Sequence, residues 1–390
     1  KVNFSAKQIN FVTGPVFPNS GRYEILEFIS DSKCNFRDTR KWSAKTDDDF
    51  FTYTVSLSTL FSSGFLTIED FLLDGNTRSD KNGVFYQSVG SLVRFLENLD
   101  FHQKSLQTLL EFPEKQETDV ATILAVHLFS ELAVDNTSTY IVSNEYAFKY
   151  KCCPCSNEDC RHEVVYGNTG KGIENLSFGK PDIVVCPKRA GGCSIIVPRS
   201  NKKVQELEDP DEENDVQMVE VKKSSETIRN AGSQNRVASI ATTFSFYQRI
   251  QQYRKRLPEP LHEVISIIPT IAICKDSFDV YFYDTENDII LRNMDNPIPL
   301  WKDDQINLSI TAVCILWMIL NHVTFKPKIP NKMKVLSGSC GIARELDPKR
   351  LDLIDKRFKM SSLKFMPVEA QEENLRKTKI IHFDHGFDTE

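Results

Sequence analysis

Apolar residues recur at helical spacing in several long stretches of the chain. Residues 83–110 and 118–134 show this spacing most clearly, and residues 231–256 and 303–323 are predicted to be further helices. Residues three and four positions apart share one face of a helix, so an apolar stripe at this spacing indicates a helix with one buried face. In residues 118–134 the stripe consists of Val120, Ile123, Leu124, Leu128 and Leu132.

Short β-branched runs predict the strands of a sheet. The runs are residues 183–185, 193–197, 219–221, 270–274 and 280–283. Strands that follow and precede helices in this way predict an α/β fold with a mixed central sheet flanked by helices.

The run Val219-Glu220-Val221-Lys222 carries polar residues at the end of a strand. Successive side chains of a strand point to opposite faces, so Glu220 and Lys222 share one face and Val221 takes the other. Burying a carboxylate with an ammonium is costly unless the two groups pair or serve a metal ion. This strand end is therefore a candidate site.

A charged segment around Pro113 marks a boundary in the chain. We predict an accessory domain of unknown role at residues 1–116 and the α/β core at residues 117–325. Within the core, residues 201–216 are predicted to form an acidic loop. Seven of the ten residues from 206 to 215 are acidic, and such a segment has little to bury.

Residues 326–390 are predicted to be a basic C-terminal extension. Residues 323–364 contain 11 Lys/Arg and 4 Asp/Glu, an excess of +7 in a chain whose net charge is −6. A basic extension would contact phosphates, and each neutralised phosphate would add salt dependence to binding. A solvated tail is the other interpretation.

The composition is ordinary for a globular protein, with 40% hydrophobic and 26% charged residues in 390. Because the net charge gives no general attraction for nucleic acid, any basic surface must be local. The chain starts without a charged and then apolar leader, and residues 310–320 are too short to span a bilayer, which needs about 20 residues. We therefore expect no membrane association and an intracellular location, nuclear or cytoplasmic.

Two motifs, Pro181-Asp182 and Glu220-Val221-Lys222, resemble the signature of the PD-(D/E)xK nuclease superfamily, which has the restriction-endonuclease-like fold. The resemblance covers residues 117–325. It implies that Asp182, Glu220 and the Val221 carbonyl hold Mg²⁺, or Mn²⁺ in its place, and that Lys222 positions the attacking water. Mg²⁺ prefers oxygen ligands and stabilises charge that develops on a phosphodiester.

The same resemblance implies two further site residues. Glu131, on the helix at residues 118–134, would complete the acid set and act on the metal, and Gln234 would meet the site from the helix at residues 231–256. The implied function is Mg²⁺-dependent endonucleolytic or exonucleolytic hydrolysis of nucleic acid, with DNA favoured as substrate. The sequence does not define an oligomeric state.

Other interpretations of these residues stay open. Asp182 alone would cap a strand turn, Glu220 and Lys222 would form a plain ion pair, and Glu131 would be a solvated helix acid. A catalytically inactive nucleic-acid-binding or scaffold protein on the same fold is the alternative function. An RNA nuclease is a weaker alternative.

The cysteines are unevenly placed. Of the ten in the chain, Cys152, Cys153, Cys155 and Cys160 fall within nine residues, and His162 follows. Thiolates and imidazoles at such spacing bind structural zinc tetrahedrally, so Cys152, Cys155, Cys160 and His162 form a candidate zinc site. Because the spacing matches common zinc patterns imperfectly, reduced thiols in a β-rich loop are the favoured interpretation. His127 is interpreted as a core or flank histidine.

Overall fold

A computed structural model gives the architecture of a large part of the chain. The residues that it describes all belong to one compact unit within residues 1–360. They are residues 22–30, 42–45, 54–74, 84–111, 117–134, 140–143, 152–167, 169, 171–173, 177–179, 181–185, 194–198, 237–238, 240–242, 244–245, 265–294, 296–302 and 306–337.

Eleven of the described strands form one sheet, and two more form a hairpin. Along the sheet the order is β2-β1-β12-β11-β10-β9-β8-β4-β5, while β3 pairs with β1, β13 pairs with β11, and β6 pairs with β7. The strands are β1 Arg22–Ser30, β2 Trp42–Lys45, β3 Thr54–Ser56, β4 Tyr140–Ser143, β5 Tyr166–Gly167, β6 Lys171–Ile173, β7 Ser177–Gly179, β8 Ile183–Val185, β9 Ser194–Pro198, β10 Ile267–Ile273, β11 Ser277–Asp284, β12 Ile289–Asn293 and β13 Ile298–Pro299.

The sheet is mixed and mostly antiparallel. Strand β9 runs parallel to β10, and β4 runs parallel to β5; the other pairs are antiparallel. Parallel neighbours need a crossover connection, and helical residues between 237 and 245 lie between β9 and β10 in the chain. The strand pair predicted at residues 270–274 and 280–283 is confirmed as the antiparallel hairpin of β10 and β11.

The helices predicted at residues 83–110 and 118–134 are confirmed, the second with a π-helical turn at Ala125–Phe129. The helix predicted at residues 303–323 begins later than expected. Trp301 bridges Leu308, and the Ser309 side chain caps the helix by accepting a hydrogen bond from the Ala312 N–H. The helices are α1 Leu57–Leu60, α2 Ser62–Asp74, α3 Val84–Glu97, α4 Leu99–Glu111, α5 Glu117–Leu124, α6 Ser130–Leu132, α7 Ile310–Leu320, α8 His322–Phe325 and α9 Asn331–Lys334.

One hydrophobic core joins these helices to one face of the sheet. Phe278, Val280 and Phe282 alternate along β11 and point into this core, where Trp317 of α7 is fully buried. Phe282 also contacts Phe61, at 5.7 Å between ring centroids. The sheet and its core therefore run across the boundary predicted near residue 116, and β1 pairs directly with β12.

The opposite face of the sheet is also covered. Asp279, Tyr281 and Tyr283, which alternate with the core residues of β11, are 0% exposed. A strand buried on both faces lies inside a layered fold and not at its surface. The coarse prediction of helices with a mixed sheet agrees with this arrangement.

Four predicted segments fall wholly or mostly outside the described residues. They are the acidic loop at residues 201–216, the strand at residues 219–221, most of the helix at residues 231–256, and the part of the basic extension that follows Ser337. Within the described part of the chain, no helix is both long and apolar enough to cross a membrane.

Candidate metal centre

A π-helical turn positions the first residue of the candidate metal centre. The turn at Ala125–Phe129 links α5 to α6 and carries His127 on its buried side, where the residue is 0% exposed. The ring of His127 packs against Phe101 and His102 of α4, at 5.6 and 5.7 Å between centroids. π-Turns inside helices are frequent at functional sites because they redirect a side chain.

A short loop positions the cysteines. Cys152 and Glu163 form a β-bridge, and the Cys153 N–H donates to the His162 carbonyl at 2.9 Å, so the two ends of the loop lie together. The Cys160 N–H donates to the Asn157 carbonyl at 2.9 Å and turns the chain back. These backbone bonds place three thiols on one side of the loop.

Asn157 fixes the loop to the helices. Its side chain is 3% exposed and donates a 2.8 Å hydrogen bond to the Ser105 hydroxyl of α4. Its carboxamide oxygen accepts from the Asp159 N–H at 3.3 Å. A buried amide whose donor and acceptor groups are both hydrogen-bonded holds the loop in one position against α4. It therefore fixes where the thiols meet the π-turn.

Four side chains meet where the loop contacts the π-turn, and we call them the His127 cluster: His127, Cys153, Cys155 and Cys160. One donor atom from each lies within 4.8 Å of the other three. His127 Nε2 is 3.3 Å from Cys155 Sγ and 3.2 Å from Cys160 Sγ. Ligands at zinc distances in a tetrahedron are about 3.6 to 3.8 Å apart, so small shifts would close the cluster around an ion. Within the described residues, this is the one group of its kind.

The environment shifts the pKa values of the three thiols in different directions. Hydrogen bonds from Cys153 and from His127 lower the pKa of Cys155 to about 3. The hydrogen bond that it donates to Cys155, together with burial, raises the pKa of Cys153, and burial raises that of Cys160 to about 11. A thiolate is the form that binds metals, so metal binding here would release protons from thiols whose pKa is raised.

The cluster shares two of its four members with the predicted zinc ligand set of Cys152, Cys155, Cys160 and His162. Cys155 and Cys160 belong to the cluster, but Cys153 stands where Cys152 was expected, and His127 where His162 was expected. Cys152 is exposed and Cys153 is buried, because neighbouring side chains of an extended segment point to opposite sides. The doublet in the sequence left this choice open, and no signal in the sequence tied His127 to the cysteines.

Three further titratable residues surround the cluster. His162 Nδ1 lies 3.6 Å from Cys160 Sγ, beside the cluster and exposed. His102 Nδ1 lies 3.4 Å from His127 Nδ1, and burial followed by the charges of His127 and His162 lowers the pKa of His102 to about 3. Burial raises the pKa of Glu131, against the opposing effect of His162, Arg94 and His127.

The residues of the predicted magnesium site are described only in part. Asp182 comes directly before β8 and is 6% exposed. Glu131 lies on α6, with His162, Arg94 and His127 as electrostatic neighbours. Glu220, Val221, Lys222 and Gln234 lie outside the described residues, so their meeting with Asp182 stays a prediction.

The pairing of β8 limits how that prediction can be realised. Strand β4 pairs with β8 along one edge and β9 along the other, in both cases over Ile183–Val185. A strand has two edges, so both sides of β8 are taken by segments that precede residue 199. A strand that carries Glu220 could therefore not pair with β8 over these residues.

Comparison with known proteins gives no relative for this chain. No protein-family model, no curated protein and no solved structure matches it. The resemblance to the PD-(D/E)xK nucleases therefore stays a prediction, and the His127 cluster is the feature of the described structure that points most directly to a chemical role.

Proposed function

We propose that the His127 cluster binds one structural zinc ion that fastens the cysteine loop to the helical layer. The observation that carries this proposal is the convergence of four donor atoms within 4.8 Å of one another. Three thiolates and an imidazole are ligands that favour zinc over magnesium or calcium. A complete set of four protein ligands leaves no position for water, which is typical of structural and not catalytic zinc.

The location of the cluster explains why an ion would stabilise the protein there. His127 comes from the helix of residues 117–132, whereas the thiols come from a loop that contains only short bridges and turns. Cys153 belongs to the hydrophobic core, whereas Cys155 and Cys160 pack against that core and stay partly exposed. A bound ion would add direct bonds between the two segments to this partial packing.

Metal content in two neighbouring cysteine variants tests the proposal. The full chain, purified under reducing conditions, should contain one zinc ion per chain by inductively coupled plasma mass spectrometry. Cys153→Ser should lose it, whereas Cys152→Ser should retain it because Cys152 is exposed. Substitution with Co²⁺ should give thiolate-to-cobalt charge-transfer absorbance in the parent and in Cys152→Ser.

Two results would contradict the proposal. One is a parent protein that binds neither zinc nor Co²⁺ when fully reduced. The other is equal metal content in both variants, since the two residues are adjacent in sequence and differ chiefly in the direction of their side chains.

We propose, as a second function, that the sheet carries a Mg²⁺-dependent nuclease site centred on Asp182. The observation that favours it is a buried carboxylate directly before a central strand. The order of elements also supports it: helix, strands β4 to β7, Asp182 with β8, β9, helical residues and β10, with β9 parallel to β10. Glu220 and the Val221 carbonyl would share the metal, Lys222 would position water, and Glu131 and Gln234 would complete the site.

Cleavage assays with matched glutamate variants test the nuclease proposal. Labelled DNA and RNA should be incubated with the full chain and Mg²⁺ or Mn²⁺, and DNA is the substrate expected to be cut. Glu220→Gln and Asp182→Asn should abolish cleavage, and Lys222→Ala should lower it about 100-fold or more. Glu208→Gln, in the acidic segment, is the control and should cleave as the parent does.

The outcomes of this assay separate the alternatives. DNA binding without cleavage in any metal would favour the inactive binding or scaffold protein, and cleavage of RNA alone would favour the ribonuclease. Cleavage that survives in both Glu220→Gln and Asp182→Asn would overturn the assignment of the site.

A further inference from the structure

A second histidine stands behind the proposed zinc ligand. His102 lies on α4, is 4% exposed, and places its Nδ1 atom 3.4 Å from Nδ1 of His127. On its other side the ring stacks on Phe95, at 5.2 Å between centroids and 9° between planes. The ring of His102 is thus held in one orientation by packing that is independent of the cysteines.

A zinc ion bound to His127 would determine which of the two histidines donates the hydrogen bond and which accepts it. In a neutral imidazole one nitrogen carries the proton and the other carries the lone pair that binds a metal. His127 Nε2 is the atom that faces Cys155 and Cys160, so a zinc ion there requires the proton of His127 on Nδ1. That N–H points at His102 Nδ1, which must then act as the acceptor, with the proton of His102 on Nε2.

We infer that His102 is a positioning residue for the zinc site, which accepts a hydrogen bond from His127 and fixes its tautomer and ring orientation. Metal-binding histidines usually donate their second N–H to an acceptor of this kind, and loss of the acceptor typically weakens metal affinity 10- to 100-fold. The acceptor here is a neutral imidazole, so it orients the ligand without adding a negative charge to the site.

This inference rests on the proposed zinc site, and two variants of His102 test it. His102→Phe keeps an aromatic ring against Phe95 and removes the acceptor, so Co²⁺ affinity in competition with a chelator should fall about 10- to 100-fold. His102→Asn offers a carbonyl oxygen near the place of Nδ1 and should recover most of that affinity. His322→Phe, a change at another buried histidine, controls for general destabilisation and should bind Co²⁺ as the parent does.

The results distinguish this inference from the proposal on which it rests. A parent that binds no metal overturns both. A parent and a His102→Phe variant that bind Co²⁺ within about twofold of each other leave the zinc site standing and refute the role of His102. Equal losses in His102→Phe and His102→Asn refute it as well, since packing alone would then explain the effect.

A measurement on the parent protein tests the inference without any substitution. Long-range ¹H–¹⁵N correlation spectra of the zinc-loaded protein report which nitrogen of each histidine carries the proton. The expected result is His127 protonated at Nδ1 and His102 protonated at Nε2. A spectrum with the His102 proton on Nδ1 would overturn the inference even if His102→Phe failed to fold.

Discussion

Replacing Asn321 with leucine should loosen the junction between α7 and the helix that carries His127. Asn321 is 2% exposed and follows the last residue of α7. Its amide donates to the Leu132 carbonyl at 2.9 Å and to the Trp317 carbonyl at 2.8 Å, and its oxygen accepts from the Val134 N–H at 2.9 Å. One side chain therefore ties the ends of two helices together.

The expected loss of stability depends on which of these backbone groups keep a hydrogen-bond partner after the substitution. The Leu132 carbonyl still accepts from the Ser91 hydroxyl, and the Trp317 carbonyl still accepts from the backbone N–H of residue 321. The Val134 N–H loses the acceptor that the structure shows for it. A net hydrogen bond contributes about 1 kcal/mol and an unpaired buried group costs about 1 to 3 kcal/mol. We therefore expect a loss of about 3 kcal/mol in the free energy of unfolding.

Denaturant unfolding of the full chain measures this loss. The control is Asn98→Leu, because Asn98 is exposed and donates one 2.9 Å hydrogen bond to the Arg94 carbonyl. The control should change the free energy of unfolding by less than about 0.5 kcal/mol, as exposed substitutions usually do. Equal effects of the two substitutions would refute the argument that Asn321 joins the two helices.

Three further predictions concern pH, packing and metal. Burial lowers the pKa of His322 from 6.5 to about 4, so between pH 7 and pH 4 the folded state binds fewer protons than the unfolded state. The free energy of unfolding therefore falls as the pH drops from 7 to 4. At 1.36 kcal/mol per pKa unit the loss is about 3 kcal/mol, and His322→Phe should flatten this part of the curve in urea unfolding between pH 7 and pH 4. Trp317→Phe removes a 2.7 Å hydrogen bond to the Ser88 carbonyl and part of a fully buried ring, so it should cost about 2 kcal/mol in the same assay, and no change would show that the bond contributes nothing. Chelation should lower the melting temperature of the parent, because an ion at 100 times its Kd adds about 2.7 kcal/mol, and it should leave Cys153→Ser unaffected; an equal shift in both proteins would mean that the metal binds elsewhere.

Much of the secondary structure could be predicted from local patterns. The helix at residues 118–134 and the hairpin of β10 and β11 follow from apolar periodicity. This periodicity relates residues that are only two to four positions apart in the sequence. The pattern failed to give the correct end of an element where capping or tertiary contacts determine that end. α7 begins at Ile310 because the Ser309 side chain caps it, and the apolar pattern alone extended the helix too far.

The candidate metal site likewise combines features that local sequence patterns predict with features that depend on tertiary contacts. Local sequence patterns were sufficient to show that cysteines cluster near residue 155 and that a helix passes through residue 127. They did not determine that these segments meet, because 26 positions separate His127 from Cys153 and no short-range pattern spans such a distance. The tertiary contacts bring the four candidate ligands together: the π-turn turns His127 toward the loop, the bridge between Cys152 and Glu163 turns Cys153 inward and Cys152 outward, and Asn157 fixes the loop against α4. Metal sites are assembled by side chains from separate elements, so the distances that define them exist only once those elements have packed.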